Sequence, residues 1–324
     1  MTDIALIEAA AARAVGVVRE TPLLSSPFLD EIAGRPVFAK AEVLQHTGSF
    51  KFRGGWSAVS ALDDATRARG VIAYSSGNHA QGVAQAAALH GVPSVIIMPR
   101  DAPALKIENT RALGAEVVLY DRAGGEKREA IGERLMTERG MTLIKPYDDV
   151  QVIAGQGTCG LEIAAQAAAL GVEAGTVLTC CGGGGLSAGI ALALEARAPG
   201  VVVRPVEPAG FDDTARSLAA GERLGHGSPE AGLCDAILTP MPGEITFPVL
   251  KRLCGPGIVV SEAEVKEAMR LAALRLKLVV EPGGAVALAA ALFHGSALVD
   301  GPVICTLSGG NADPAHYAAI LAGG

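Results

Sequence analysis

Eight short runs rich in β-branched residues recur along the chain, at 71–74, 94–98, 116–120, 142–145, 176–180, 201–206, 258–260 and 303–307. They lack the clean polar alternation of strands with one wet face, so each reads as a strand buried on both faces. Alanine-rich stretches of helical spacing lie between them. One, 81–90, ends at Gly91, a natural helix C-terminus. Another, 264–277, places Val265, Ala268, Met269, Ala272 and Leu276 on one stripe, behind a Ser261/Glu264 capping-box spacing. Strand–helix alternation throughout predicts an α/β protein with open, twisted, mostly parallel sheets. At 324 residues, half of them hydrophobic, the chain can bury a sizeable core as one large domain or two ordinary ones. No low-complexity linker or long-period repeat marks a boundary between them.

Several partners are disfavoured at once. A net charge of −7 and an aromatic content of 4% argue against phosphate-backbone binding and base stacking, hence against nucleic acid. The six cysteines form no C-x-x-C and pair with no histidine at zinc-finger spacing, which suits reduced, buried thiols. Asp3 and Glu8 stand where a signal peptide would need a basic start and an apolar run. The uncharged stretch 282–299 is mostly Ala and Gly and includes His294, so it reads as a buried helix rather than a membrane span. The expectation is a soluble cytoplasmic protein.

Four segments carry chemistry. In Ser49-Phe50-Lys51-Phe52-Arg53-Gly54-Gly55, Lys51 follows an aromatic among small and polar residues. A partly desolvated lysine there could form a Schiff base with an aldehyde, although a solvated surface lysine gives the same pattern. Ser75-Ser76-Gly77-Asn78-His79 joins a strand to a helix, a place that suits an anion or a plain N-cap equally. Gly182-Gly183-Gly184-Gly185-Leu186 joins an apolar strand to an apolar helix. Four glycines without Cβ atoms let successive N–H groups wrap a phosphate, while the dinucleotide and P-loop spacings are both absent. Ser308-Gly309-Gly310-Asn311 closes the last strand, at a strand end where open sheets bind ligands.

In this order and register the segments resemble the serine/threonine dehydratase and serine racemase group of fold-type II pyridoxal-phosphate enzymes, in its racemase- and hydroxyaspartate dehydratase-like branch. The resemblance runs from Arg19-Glu20-Thr21-Pro22-Leu23 through Val152–Thr158 and Glu281-Pro282 to Asn311. It implies two parallel-sheet domains, a large cofactor-binding one (1–69 plus 149–324) and a small one (70–148) that closes on substrate, in a homodimer. It implies pyridoxal 5′-phosphate as cofactor. Lys51 would hold it and later move the α-proton, with Phe50 beside the ring and Asn78 on the phenolic oxygen. Gly182, Gly183, Gly184, Gly185 and Leu186 would cradle the phosphate, Ser308 would face the pyridine nitrogen, and Glu281 would complete the cofactor set. Ser75, Ser76 and His79 would gather the substrate carboxylate. A neutral Ser308 would leave that nitrogen unprotonated, which favours quick β-elimination.

The implied reaction is dehydration of a small β-hydroxy amino acid to a 2-oxo acid and ammonia, with L-threonine and L-serine as default substrates. The alternatives are 3-hydroxyaspartate dehydratase and serine racemase; more remote are a cysteine-forming β-replacement and a non-catalytic cofactor or amino-acid binder. Ser76, where many threonine dehydratases have Ala, could protonate from the face opposite Lys51 or simply bind carboxylate. Glu207, Phe211 (through its carbonyl) and Asp213 match a cation-binding loop for Mg2+, or Ca2+ or Mn2+, hard ions that take oxygen ligands. Arg128 could pair with a second substrate carboxylate or belong to an exposed helix face. Cys234-Asp235-Ala236 and Lys145-Pro146 depart from the group's Ala-Asp-Gly and His-Pro, which leaves the substrate open. With little chain after Ser308, no isoleucine-sensing domain is expected.

Overall fold

The computed structural model describes residues 2–102, 104–122, 124–226 and 232–323. Its strands in chain order are β1 (Leu23–Ser25), β2 (Val37–Lys40), β3 (Val71–Tyr74), β4 (Ser94–Pro99), β5 (Glu116–Tyr120), β6 (Thr142–Leu143), β7 (Gly175–Cys180), β8 (Val201–Pro208), β9 (Ile258–Val260) and β10 (Val303–Thr306). They form two sheets, ordered β1-β2-β10-β7-β8-β9 and β5-β4-β3-β6. Every pairing is parallel except β1 with β2.

Strand alternation accounts for the layering. In the larger sheet Leu178, Val206, Val303 and Cys305 pack against the helices Glu262–Leu271 and Pro282–Phe293. Val177, Val203 and Ile304 face the opposite way, onto Ile163, Ile190 and Leu194. In the smaller sheet Val71, Ala73, Ile96 and Met98 meet the helices Lys51–Ser60 and Asn78–His90. Ile72, Val95 and Ile97 meet Leu135 on the helix Arg128–Arg139. Both faces are dry, which is why the strands carry so little polar alternation.

The eight expected strands all form. The stripe beyond Ser261 forms with its capping box but ends as an α-helix at Leu271. One π-helical turn, Ala272–Leu276, follows and is closed by Lys277 at φ +61°. The stretch after Glu281 is the buried helix Pro282–Phe293, and among the described residues no helix is long and apolar enough to cross a membrane. The pattern missed β1 and β2. Val37–Lys40 ends in a charge that is fully buried, which no hydropathy pattern reads as strand interior.

That charge belongs to a buried ionic cluster. Lys40 Nζ lies 2.6 Å from Glu162, and Arg53 lies 2.7 Å from Glu42 and 2.6 Å from Glu162. The Thr21 hydroxyl donates to Glu42 at 2.5 Å, and Lys40 also donates to the Thr21 carbonyl and to Gln166. Burial pushes the Glu42 carboxyl up, but the Arg53 charge and hydrogen bonds outweigh it and hold it below the usual range. The cluster ties β2 to the helix Val150–Ala169 and to the helix that begins at Lys51.

Candidate active site

In open parallel sheets ligands bind beyond the carboxyl ends of the strands. β3 leads into Ser75–Asn78, β6 into Lys145-Pro146, β7 into the glycine loop, and β10 into Ser308. Lys51 follows β2 through two short helical turns.

The glycine loop shows why Cβ atoms are excluded. Gly184 has φ +88°. A Cβ on Gly183 would stand 2.2 Å from the Tyr147 ring, and one on Gly182 would stand 2.8 Å from Thr239 Oγ1. The Gly183 carbonyl accepts from Thr246 Oγ1 at 2.6 Å and from the Gly243 amide at 3.2 Å, which fixes the loop from behind. The helix Gly185–Arg197 starts directly after it, and its first N–H groups have no partners within the helix.

Phe50, Lys51, Asn78, Gly182, Gly183, Gly184, Gly185, Leu186, Glu281 and Ser308 all line one cavity, together with Tyr147 and Cys180. Lys51 Nζ donates to the Pro146 carbonyl at 2.8 Å and lies 5.1 Å from the Phe50 ring centre. Burial lowers its pKa to about 8, with Glu281 opposing the shift. Asn78 Nδ2 donates to Glu281 Oε1 at 2.5 Å, and Asn78 Oδ1 accepts from Asn311 Nδ2 at 2.7 Å. One N–H of the Asn78 amide therefore remains for a ligand. Burial pushes Glu281 up to about 7 against the Asn78 hydrogen bond. A Cβ on Gly309 would lie 2.0 Å from Glu281 Oε1 and 3.0 Å from Asn78 Nδ2, so a side chain there would displace this pair. An amine at one end, a hydroxyl at another and a Cβ-free phosphate cradle between them fit pyridoxal phosphate.

A second chamber of about 270 Å3 adjoins the first, sharing Lys51, Asn78, Tyr147 and Glu281. Ser75, Ser76, His79, Arg128 and Lys106 line it. Ser76 makes no side-chain hydrogen bond among the described residues, whereas Ser75 Oγ accepts from the Gly77 amide at 3.1 Å. His79 is buried, with Nε2 at 2.9 Å from the Ile144 carbonyl, so the neutral ring donates there. Its Nδ1 has no hydrogen-bond partner among the described residues. Burial and the Lys51 charge lower its pKa to about 3, so His79 carries no charge with which to draw a carboxylate. Arg128 pairs with Glu129 at 2.8 Å on its own helix and reaches over the Tyr74 ring. Lys106 pairs with Asp235 at 3.1 Å. Sequence reasoning gave no role to Asn311, Tyr147 or Lys106. Asn311 closes the Ser308 motif, while the other two reach the site only through the fold.

Glu207, Phe211 and Asp213 cluster apart from this chamber, at the end of β8. Glu207 accepts from the amides of Thr214 at 3.0 Å and Ala215 at 2.8 Å. Both carboxylates are buried, and Asp213 Oδ2 has no hydrogen-bond partner among the described residues. Burial pushes Glu207 up to about 8, with the Asp213 charge adding to it, and burial pushes Asp213 up to about 6. His226 Nε2 lies 3.9 Å from Asp213 Oδ1, and two buried acids side by side with one oxygen open fit a hard divalent cation. Among the described residues no three His, Cys, Asp or Glu side chains converge as a metal site, so carbonyls or water would complete this donor set.

Fold and cavity together define a class, an open, mostly parallel α/β protein whose cavity at the strand ends brings a buried lysine and a glycine loop together. The family model described as pyridoxal-phosphate dependent enzyme matches residues 15–309. The chain belongs to that family. It is 43% identical over 314 residues to an L-threo-3-hydroxyaspartate ammonia-lyase of Pseudomonas sp, covering 97% of each chain. A solved threonine deaminase from T.th. superposes with TM-score 0.90 at 46% identity, over 96% of this chain and 99% of that one. A solved maize serine racemase superposes with TM-score 0.91 at 36% identity, over 99% and 97%. The chain is a pyridoxal-phosphate dependent lyase of the ammonia-lyase type, with two parallel-sheet units of fold type II.

Proposed function

We propose that the substrate is a β-hydroxy amino acid with a second carboxylate, 3-hydroxyaspartate, deaminated to oxaloacetate and ammonia. The resemblance put L-threonine and L-serine first; one observation favours the dicarboxylate. Arg128 lines the same chamber as Lys51 and Ser76, and its ion-pair partner is an exposed neighbour on its own helix. A guanidinium so placed can take a carboxylate in two parallel hydrogen bonds. The similarity to the Pseudomonas ammonia-lyase supports the same reading.

Pyridoxal phosphate, when bound, supplies the electron sink for the charge left at the α-carbon. The chain's own groups do the rest. Residues 182–186 would hold the cofactor's phosphate, Ser308 would meet its ring nitrogen, and the spare Asn78 N–H would take its phenolic oxygen. Lys51, with its amine pKa near 8, moves the α-proton at neutral pH. Ser75 and Ser76 bind the α-carboxylate. The unpartnered Ser76 hydroxyl also favours a second reading, proton delivery from the other face and hence racemisation.

Arg128→Met is expected to cut kcat/KM for L-threo-3-hydroxyaspartate by about 100-fold, the scale of an unmade charged hydrogen bond. L-serine should change by less than about threefold, since it makes no contact there. A panel of β-hydroxy amino acids, followed by 2-oxo acid release and by chiral separation, checks both readings. Equal losses on all substrates would remove the dicarboxylate assignment.

Further features accompany this reading. A divalent cation, Mg2+ first, sits on Glu207, Asp213 and the Phe211 carbonyl; chelation should lower the melting temperature and added Mg2+ should restore it. Exposed Phe28, Ile32, Leu274 and Val279 support a homodimer, which sedimentation checks. The unit holding β3–β6, residues 70–148, closes on substrate against the rest. Six free cysteines suit the cytoplasm.

A further inference from the structure

Beyond Arg128 and Tyr147 lies an outer cavity of about 500 Å3. Tyr74, Arg128, Pro146 and Tyr147 line both it and the substrate chamber, so the two adjoin at these side chains. Lys145, Arg223, Asp148 and Glu244 line the outer cavity and not the chamber.

The charges there do not cancel. Glu244 pairs with Arg223 at 3.2 Å. Asp148 Oδ1 accepts from the amides of Ile245 at 2.7 Å and Thr246 at 3.4 Å, at the start of the helix Thr246–Leu253. Arg128 leans on Glu129, which lies outside the cavity wall. Lys145 has neither an ion pair nor a side-chain hydrogen bond among the described residues, and it is exposed. The backbone just after β6 explains its direction. Ile144 turns into the core, its carbonyl facing His79, and Lys145 turns outward. The next carbonyl, of Pro146, accepts from Lys51. Lys145 is thus held close to Lys51 along the chain, yet faces the outer cavity.

We infer that Lys145 is a specificity-determining residue: with Arg128 it forms a two-cation port that draws the second carboxylate of a dicarboxylic substrate from solvent into the chamber. This rests on the dicarboxylate reading above and extends it to a residue outside the chamber. The contribution of one exposed charge is modest, about threefold in affinity, and salt screens it.

The test uses holoenzyme turning over whichever β-hydroxy amino acid it consumes fastest, with succinate and butyrate as competing inhibitors. Succinate carries two carboxylates at the spacing of aspartate, and butyrate carries one. In Lys145→Gln the succinate inhibition constant should rise about threefold at low salt while butyrate, the internal reference, stays put. The difference should vanish near 1 M salt, where screening acts within about 3 Å. Lys145→Arg should behave as wild type. If Lys145→Gln and wild type bind succinate equally at low salt while Arg128→Met still weakens it, the port is refuted and the dicarboxylate reading stands. If wild type prefers butyrate or shows no preference, the substrate reading fails and the port with it.

Discussion

Lys51 and His79 share the chamber, and burial acts on both in the same direction with different consequences. Burial brings the Lys51 amine down to about 8, so it can shed its proton near neutral pH. Capture of the cofactor aldehyde by apoprotein should therefore accelerate up to about pH 8 and level off there, well below the range of a solvated lysine; the growth of cofactor absorbance on mixing measures it. Linkage gives a second sign. Between pH 8 and 10.5 the unfolded chain holds a proton on Lys51 that the folded one has lost, so apoprotein stability rises with pH across that window. His79 works at the acid end. Its folded pKa is about 3, so from pH 6.5 downward the unfolded chain gains a proton that the native ring refuses. Its contribution is complete above pH 6.5 and erodes by up to about 1.4 kcal/mol per pH unit below it. Urea melts of His79→Asn should show a shallower loss between pH 6 and 4 than wild type. An unchanged slope would mean that other groups dominate acid unfolding.

At the scale of elements, the site was legible because its residues sit at the joints of the strand–helix alternation. The glycine loop after β7, the Ser76 turn after β3 and the Ser308 turn after β10 each follow a strand that the apolar pattern already marks. Lys145 was legible only as a departure from the family's His-Pro, and Tyr147 only as its neighbour. Their roles depend on β6 lying beside β3, a pairing across about seventy residues that no local pattern encodes. The loop itself gives a sharp expectation. A methyl on Gly183 must displace the Tyr147 ring from 2.2 Å, and that ring walls both the cofactor cavity and the chamber. Gly183→Ala should weaken pyridoxal-phosphate affinity by about 5- to 150-fold, since overpacking costs roughly 1–3 kcal/mol. Far-UV circular dichroism should be unchanged, and equilibrium dialysis reads the affinity.

For the whole molecule, the helix that begins at Lys51 packs on the smaller sheet, and the ionic cluster ties it to β2 and to the helix Val150–Ala169. Hydropathy hid this arrangement: Lys40, Glu42 and Arg53 are polar by sequence and sealed by the fold, because Glu162 comes from a distant segment to pair with both cations. Two cations and two carboxylates cancel, so the burial is tolerable only while all four remain. Arg53→Met removes one member and leaves Glu42 and Glu162 facing Lys40 alone. The expected loss of stability is about 3–5 kcal/mol, the cost of breaking a buried pair from one side. Replacing Glu42 as well, in Arg53→Met with Glu42→Gln, should recover part of that loss, since one positive and one negative charge then remain. Denaturant melts of the single and double variants decide it. If the double variant is less stable than the single one, the cluster acts through packing shape rather than charge balance, and its hold on the Lys51 helix has another origin.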